Sequence, residues 1–238
     1  MQQSVGEVGE INRYPIKSFG GEKLESCELA AYGMLGDRFA TFYDESQEGW
    51  QKYITARNIP NMMTYQARYV DGDIRVTASD GREFGWEESL LVEIQGQTKT
   101  PIAMSRMMDP NPENPHLLSV DEAGILIVTD ATMRKLENMW GKELDQRRFR
   151  GNFVVNVNDQ VMFEGDWIGK EIEIGGARLK ADDFCERCVM IAMDPDTTEK
   201  DPSLLKIVNK EFNLRFGVYA SVVRPGRVQV GDTVKVIG

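Results

Sequence analysis

The sequence predicts a mostly β protein with a few helices, built as a barrel or sandwich of short strands. Three observations carry this expectation. Short alternating or apolar stretches recur along nearly the whole chain, turn signals separate them at roughly ten-residue spacing, and only two or three clear helices are read. At 238 residues the chain is long enough for one large domain or two intimately joined ones.

Gly9 to Ile16 alternates and reads as the first strand, stopped by the turn-rich Lys17-Ser18-Phe19-Gly20-Gly21. Lys23 to Leu29 alternates again, and Phe39 to Tyr43 reads as a buried strand ended by the polar run Asp44 to Glu48. Gln66 to Val70 and Asp73 to Ala78 flank Asp71-Gly72, a dipeptide suited to a type I′ hairpin turn. Another turn follows at Asp80-Gly81, and Gly124 to Val128 is a short apolar strand. Thr129-Asp130 caps a helix from about Ala131 to Gly141, with Met133, Leu136, Met139 and Trp140 on one face and the glycine as its stop. Phe153 to Val157 is a strand, and Trp167 to Gly176 reads as a strand pair around a glycine. Asp201-Pro202, a cap followed by a first-turn proline, opens a second helix with Leu204, Leu205, Val208 and Phe212 inside. Val228 to Ile237 reads as strand, turn, strand. Met108 to Pro115, with three prolines, suits a boundary or flap, and a division of the chain is placed near residue 95.

Composition narrows the function. The 38 acidic and 28 basic residues give a formal charge of -10, without the basic stripe that a nucleic-acid binder shows. A local basic pocket for one anionic ligand is compatible with that balance. Nowhere do about 18 apolar residues run together, so no membrane-spanning helix is expected. The N-terminal residues do not read as a signal peptide, and the expected address is cytoplasmic. The single histidine, His116, rules out three-histidine zinc sites and His-Glu-x-x-His chemistry, and its Pro- and Asn-rich setting suits a solvated loop. Cys27, Cys185 and Cys188 are too few for a disulfide scaffold and point to reduced thiols.

Three segments carry chemistry. Cys185-Glu186-Arg187-Cys188 could be part of a zinc site completed by Cys27 and His116 or by a carboxylate, a redox pair, two buried thiols in a core strand, or a single metal thiolate with Arg187 holding it ionised by charge attraction. Arg147-Arg148-Phe149-Arg150-Gly151-Asn152 is a local basic anomaly in an acidic chain, either a solvated turn or an oxyanion clamp, since guanidinium binds phosphate bidentately. Tyr14-Pro15-Ile16-Lys17-Ser18, followed by Gly20-Gly21 and then Gly36-Asp37-Arg38, offers a lysine, a hydroxyl and loop amides to a phosphate, although the Walker spacing is absent.

Together these segments resemble a known family. Tyr14-Pro15-Ile16-Lys17-Ser18, Gly36-Asp37-Arg38, Arg148-Phe149-Arg150-Gly151-Asn152, Cys185-Glu186-Arg187-Cys188 with Asp194-Pro195-Asp196-Thr197, and Pro225 to Asp232 occur in the order seen in MOSC-domain proteins. More narrowly, the chain is similar to the branch with an N-terminal β-barrel domain, which includes the mitochondrial amidoxime-reducing components and their bacterial relatives. The resemblance implies a MOSC-associated N-terminal β domain over residues 1–95 and a MOSC β-barrel over 96–238. It implies a molybdenum cofactor, a pterin with a terminal phosphate, with Cys188 as the protein's metal ligand and Cys185 as the non-ligand cysteine. Lys17, Ser18 and Arg38 match residues that hold the phosphate. Arg150 and Asn152 match a pair that contacts the pterin, Arg187 belongs to the same cofactor-binding set, and Asp121 matches an acidic residue near the metal.

Some positions depart from the family's pattern. Gly151 stands where relatives carry proline, Glu186 where a small hydroxylated residue is common, and Glu122-Ala123 where relatives carry hydroxyl side chains. These changes alter pocket polarity and leave the ligand and the phosphate cradle intact. The resemblance implies reduction of N-hydroxylated compounds such as amidoximes, hydroxylamines or N-hydroxylated bases. Electrons would come from a separate flavoprotein, ferredoxin or cytochrome, since neither a ferredoxin tail nor another redox centre is read in the chain. The alternative it implies is a cofactor or sulfur carrier without turnover, acting without a pyridoxal-phosphate domain.

Overall fold

The computed structural model describes residues 2–106, 122–158 and 163–238. The chain opens with a long strand, β1 (Gln2–Arg13), followed by the short strands β2 (Glu22–Leu24), β3 (Ser26–Ala30), β4 (Gly33–Met34), β5 (Ala40–Tyr43) and β6 (Tyr53–Ile54). The hairpin β7 (Gln66–Val70) and β8 (Asp73–Thr77) comes next, then β9 (Glu83–Gly85), helix α1 (Glu88–Gln95) and β10 (Ala103–Arg106). The remainder is β11 (Ile125–Thr129), α2 (Asp130–Trp140), β12 (Phe153–Val157), β13 (Glu171–Ile174), β14 (Ala177–Glu186), α3 (Pro202–Phe212), β15 (Arg215–Arg224), β16 (Gly226–Gln229) and β17 (Thr233–Ile237).

The large sheet runs β12-β11-β15-β14-β13-β17-β1, and β1 pairs back onto β12, so these seven strands close a barrel with β2 attached to β1. Closure removes the open edges that an extended sheet would expose. All neighbours are antiparallel except β11 and β12, which are parallel and joined through α2. Phe153 sits at the seam, in register with Ile11 on one side and Ile127 on the other. The barrel interior is apolar, with Val8, Ile11, Ile127, Phe153, Val155, Leu179 and Val218 all buried. Each such side chain contributes roughly 1.5–3 kcal/mol by leaving water.

A second core gathers residues 16–102 around Phe19, Phe42, Ile74, Leu90 and Ile94. Phe19 stacks on Phe42 at 5.8 Å and tilts against Tyr65 at 5.4 Å. A third apolar layer packs α2 and α3 together through Met133, Leu136, Leu204 and Val208, with Phe149 and Phe216. The first strand and residues Leu24, Cys27, Leu29 and Met34 serve the barrel core, while Ile16, Phe19 and most of the buried apolar residues from Phe39 to Ile102 build a core of their own beside it.

The hairpin turns at Asp71 (φ 51°) and Gly72 (φ 86°), the two positive angles that a type I′ turn requires. Thr129 caps α2 by accepting from the Thr132 amide, and Asp201 caps α3 by accepting from Ser203. Three expectations shift. The first strand starts at Gln2 and stops at Arg13, so Tyr14 to Ile16 form a loop. Of the strand pair expected over Trp167 to Gly176, Trp167 ends a 3-10 turn over residues 164–167 and only Glu171–Ile174 is extended. Lys23 to Leu29 divides into β2 and β3. Met108 to Pro115 and His116 lie outside the described residues.

One carboxyl sits fully inside this frame. Glu164 Oε2 accepts from the hydroxyls of Thr129, at 2.9 Å, and Thr132, tying the 164–167 turn to the N-terminus of α2. Burial pushes its carboxyl above the usual value of 4.5, with the threonine hydroxyls acting the other way. A raised carboxyl favours the fold most while it is protonated in both states. That contribution is full below the unfolded value and is lost as pH rises through the folded one. Urea unfolding between pH 4 and 8 is therefore expected to show wild type losing stability relative to Glu164→Gln as pH rises, and parallel curves would contradict this reading.

Candidate functional site

A cleft of about 780 Å³ opens between the barrel and the second core. Lys17, Ser18, Arg38, Arg150, Cys185, Arg187 and Cys188 all line it, so segments from four parts of the chain converge there. Asn152 does not line it, and Asp121 lies outside the described residues. Cys27 is also absent from the lining: it is buried on β3, where burial pushes its thiol up to about 12. A zinc site using Cys27 with the Cys185–Cys188 pair is therefore not assembled. Among the described residues no group of three or more His, Cys, Asp or Glu side chains is placed to hold a metal.

The floor is a buried polar knot. Arg38 is 4% exposed; its Nη1 donates to Asp37 Oδ2 at 2.7 Å and to Asn152 Oδ1 at 3.0 Å, and its Nη2 donates to the Arg150 carbonyl at 2.7 Å. Asp37 Oδ1 accepts from the Tyr14 amide, and the Arg38 amide donates to the Tyr14 carbonyl. The guanidinium carbons of Arg150 and Arg38 lie 4.2 and 5.2 Å from the centre of the Tyr14 ring. Burial raises the Tyr14 hydroxyl, and Arg150 and then Arg38 partly counter it. Arg150 Nη1 donates to the Phe19 carbonyl at 2.5 Å. Asn152, fully buried, accepts the Leu126 amide on Oδ1 and donates from Nδ2 to the Asn12 carbonyl. These bonds tie the floor together, and Asn152 is not in the lining of the cleft.

Ser18 (φ 69°), Arg38 (φ 43°) and Arg150 (φ 53°) adopt the left-handed region. Non-glycine residues occupy it at a conformational cost, and such residues concentrate where surrounding structure fixes a functional geometry.

Of the three arginines in the basic run, only Arg147 is exposed. Arg148 is buried and donates to Asp194 Oδ2 at 2.8 Å, while Arg147 makes paired contacts with Asp145 and Asp196. The Asp194-Pro195-Asp196 loop thus supplies the counter-charges for two of the three arginines. Burial pushes the Asp194 carboxyl up, but the Thr197 and Asp196 amides, the Thr197 hydroxyl and Arg148 together hold it below the usual range. Lys17 lies with Nζ 5.5 Å from the centre of the Trp50 ring.

Arg187 is 7% exposed and rests on Phe149 and Phe216 at 5.2 and 5.9 Å. Its Nε donates to the Phe216 carbonyl at 2.7 Å and its Nη1 to the Phe149 carbonyl at 2.8 Å. Its Nη2 has no protein partner among the described residues. Gly217 makes room for it, since a Cβ there would lie 3.0 Å from Nη2. One reading of the sequence sets Arg187 beside the Cys188 thiol; in the structure its Nε and Nη1 serve backbone carbonyls. The guanidinium on Cys188 is that of Arg57, with Nη2 donating to Sγ at 3.1 Å. Cys188 is half-buried at the start of the 189–192 turn, whereas Cys185 is buried within β14.

Sequence reasoning missed the wall formed by Trp50, Gln51, Tyr53, Thr55, Arg57 and Asn58. An arginine in a polar loop looks solvated, and nothing local reveals a partner 131 residues away. The departures Glu122, Ala123 and Glu186 all line the cleft.

Comparison with known proteins places the chain in a family. The profile of the MOSC domain matches residues 114–235, and that of the MOSC N-terminal beta barrel domain matches residues 5–117. The human mitochondrial amidoxime-reducing component 1 is 25% identical, over 99% of this chain and 84% of its own. The molybdenum cofactor sulfurase of Anopheles gambiae is 38% identical, over 88% of this chain and 33% of its own length. The crystal structure of the YUAD protein from Bacillus subtilis superposes with a TM-score of 0.53 at 13% identity, covering 99% of this chain and 97% of that one, which bears on the fold alone.

If Asn152 is the keystone of the floor, Asn152→Ala lowers the unfolding free energy by about 1–3 kcal/mol for each buried group it leaves without a partner. The Leu126 amide is one such group. Lys17→Ala, at a half-buried position in the cleft lining, stays within about 0.5 kcal/mol of wild type. Urea titration of both variants checks this, and equal shifts would contradict it.

Proposed function

The chain belongs to the MOSC family, and from that premise we propose that it is a molybdenum-cofactor-dependent reductase of N-hydroxylated compounds. The observation that carries the proposal is the convergence, in one cleft, of Lys17, Ser18, Arg38 and Arg187 with a single cysteine pair ending in Cys188. The donor set fits the group: a soft sulfur suits molybdenum, and cationic side chains with a hydroxyl suit a phosphorylated pterin. The buried Arg187 Nη2 without a protein partner is the kind of donor that a polar ligand would satisfy.

In this reading Lys17 and Ser18 hold the phosphate, and Arg38 adds positive charge from the floor that Asp37 and Asn152 fix. Arg150 and Arg187 face the pterin, and Asn152 acts through Arg38 and Arg150. Cys188 is the protein's metal ligand. When bound, the cofactor supplies a two-electron centre able to take the oxygen of an N–O bond. Reduction of a hydroxylamine to an amine consumes two electrons and two protons and releases water. Asp121 is assigned a proton-relay role. A separate flavoprotein, ferredoxin or cytochrome would deliver the electrons, and no helix among the described residues is long and apolar enough to cross a membrane.

The sulfurase relative motivates a second reading, in which the chain holds the cofactor, or a persulfide on Cys188, for delivery. Protein loaded with cofactor and given an artificial electron donor separates the two. The reductase reading expects turnover of a simple amidoxime that falls to background in Cys188→Ala and persists in Cys185→Ala. A loaded protein without turnover supports the carrier, and equal small effects of both substitutions remove Cys188 from the ligand position.

A further inference from the structure

Arg57 stands outside every motif that pointed to the cleft, yet it holds a direct contact with Cys188. Two independent features place it there. Its backbone is fixed by a tight turn in which the Thr55 amide donates to Asn58 Oδ1 at 3.0 Å, the Arg57 amide to Thr55 Oγ1 at 3.2 Å and the Asn58 amide to the Thr55 carbonyl at 2.8 Å. The preceding residue, Ala56, is fully buried in a small apolar cluster with Met63 and Met193, against which Met190 packs. Met190 lies in the 189–192 turn that begins directly after Cys188, and Met193 ends it. The cluster therefore locks the 55–58 turn against the segment carrying the thiol, and the hydrogen bond at 3.1 Å follows from that packing.

We infer that Arg57 is a positioning residue for the metal centre, acting through the sulfur of Cys188. The inference rests on the cofactor reading above. A cationic donor to a metal-bound sulfur fixes the direction of the sulfur and withdraws electron density from it, which makes the attached metal easier to reduce. Arg57 comes from the segment that packs beside the barrel, so the second core would tune a centre whose ligand belongs to the barrel chain. An arginine serving only the surface would leave the metal's electronic state unchanged when replaced.

The test uses full-length protein loaded with molybdenum cofactor, comparing wild type, Arg57→Gln and Arg57→Lys. The readouts are the Mo(V) electron paramagnetic resonance signal and the midpoint potential from a redox titration, both normalised to bound molybdenum. Arg57→Gln is expected to change the g-values of the signal and to move the midpoint to lower potential, with Arg57→Lys recovering part of the shift. Coincident spectra and potentials in wild type and Arg57→Gln overturn the inference and leave the cofactor reading standing. A wild-type chain that takes up no molybdenum overturns both.

Discussion

Asn152 is the residue on which the cleft depends. One buried amide side chain joins the end of β1, through the Asn12 carbonyl, to the start of β11, through the Leu126 amide, and also accepts from Arg38. Its own backbone repeats the link, with the Asn12 amide donating to the Asn152 carbonyl and the Asn152 amide to the Leu126 carbonyl. A buried guanidinium is costly without partners. Asp37, Asn152 and the Arg150 carbonyl make the position of Arg38 tenable, and that position in turn holds Arg150 against Tyr14. The barrel seam and the cleft floor are thus one hydrogen-bonded unit.

Charge is handled locally. A protein of net charge -10 concentrates cationic groups on one cleft by giving some of them dedicated carboxylates: Arg38 has Asp37 and Arg148 has Asp194, while Arg147, outside the cleft lining, has Asp145 and Asp196. This accounts physically for the joint presence of the basic run and the Asp194-Pro195-Asp196 loop. The exposed ion pairs contribute little to stability, whereas the buried ones fix geometry.

Much of the fold was legible because local chemistry and tertiary structure agree. Asp71-Gly72 dictates its own turn, and Thr129 and Asp201 announce the two longer helices. Helix α1 was not legible: it is eight residues long and Glu87 makes no side-chain cap. Strand β14, which forms the longest pairing of the barrel with β15, was hidden because the consecutive exposed residues Asp182 and Asp183 break its alternation where the ladder shifts register. In the cleft, the residues carried by motifs came together, apart from Asn152, which lies beneath it, and Asp121, which is not described. The 50–58 wall escaped notice because its residues acquire meaning only from what they face.

The central claim is that this cleft is a molybdenum-cofactor site with Cys188 as its protein ligand. The most direct measurement is elemental analysis of wild type and Cys188→Ala purified from a host that makes the cofactor. The account predicts about one molybdenum per chain in wild type and loss of the metal in the variant. No molybdenum in wild type after reconstitution, or equal content in both proteins, would contradict it.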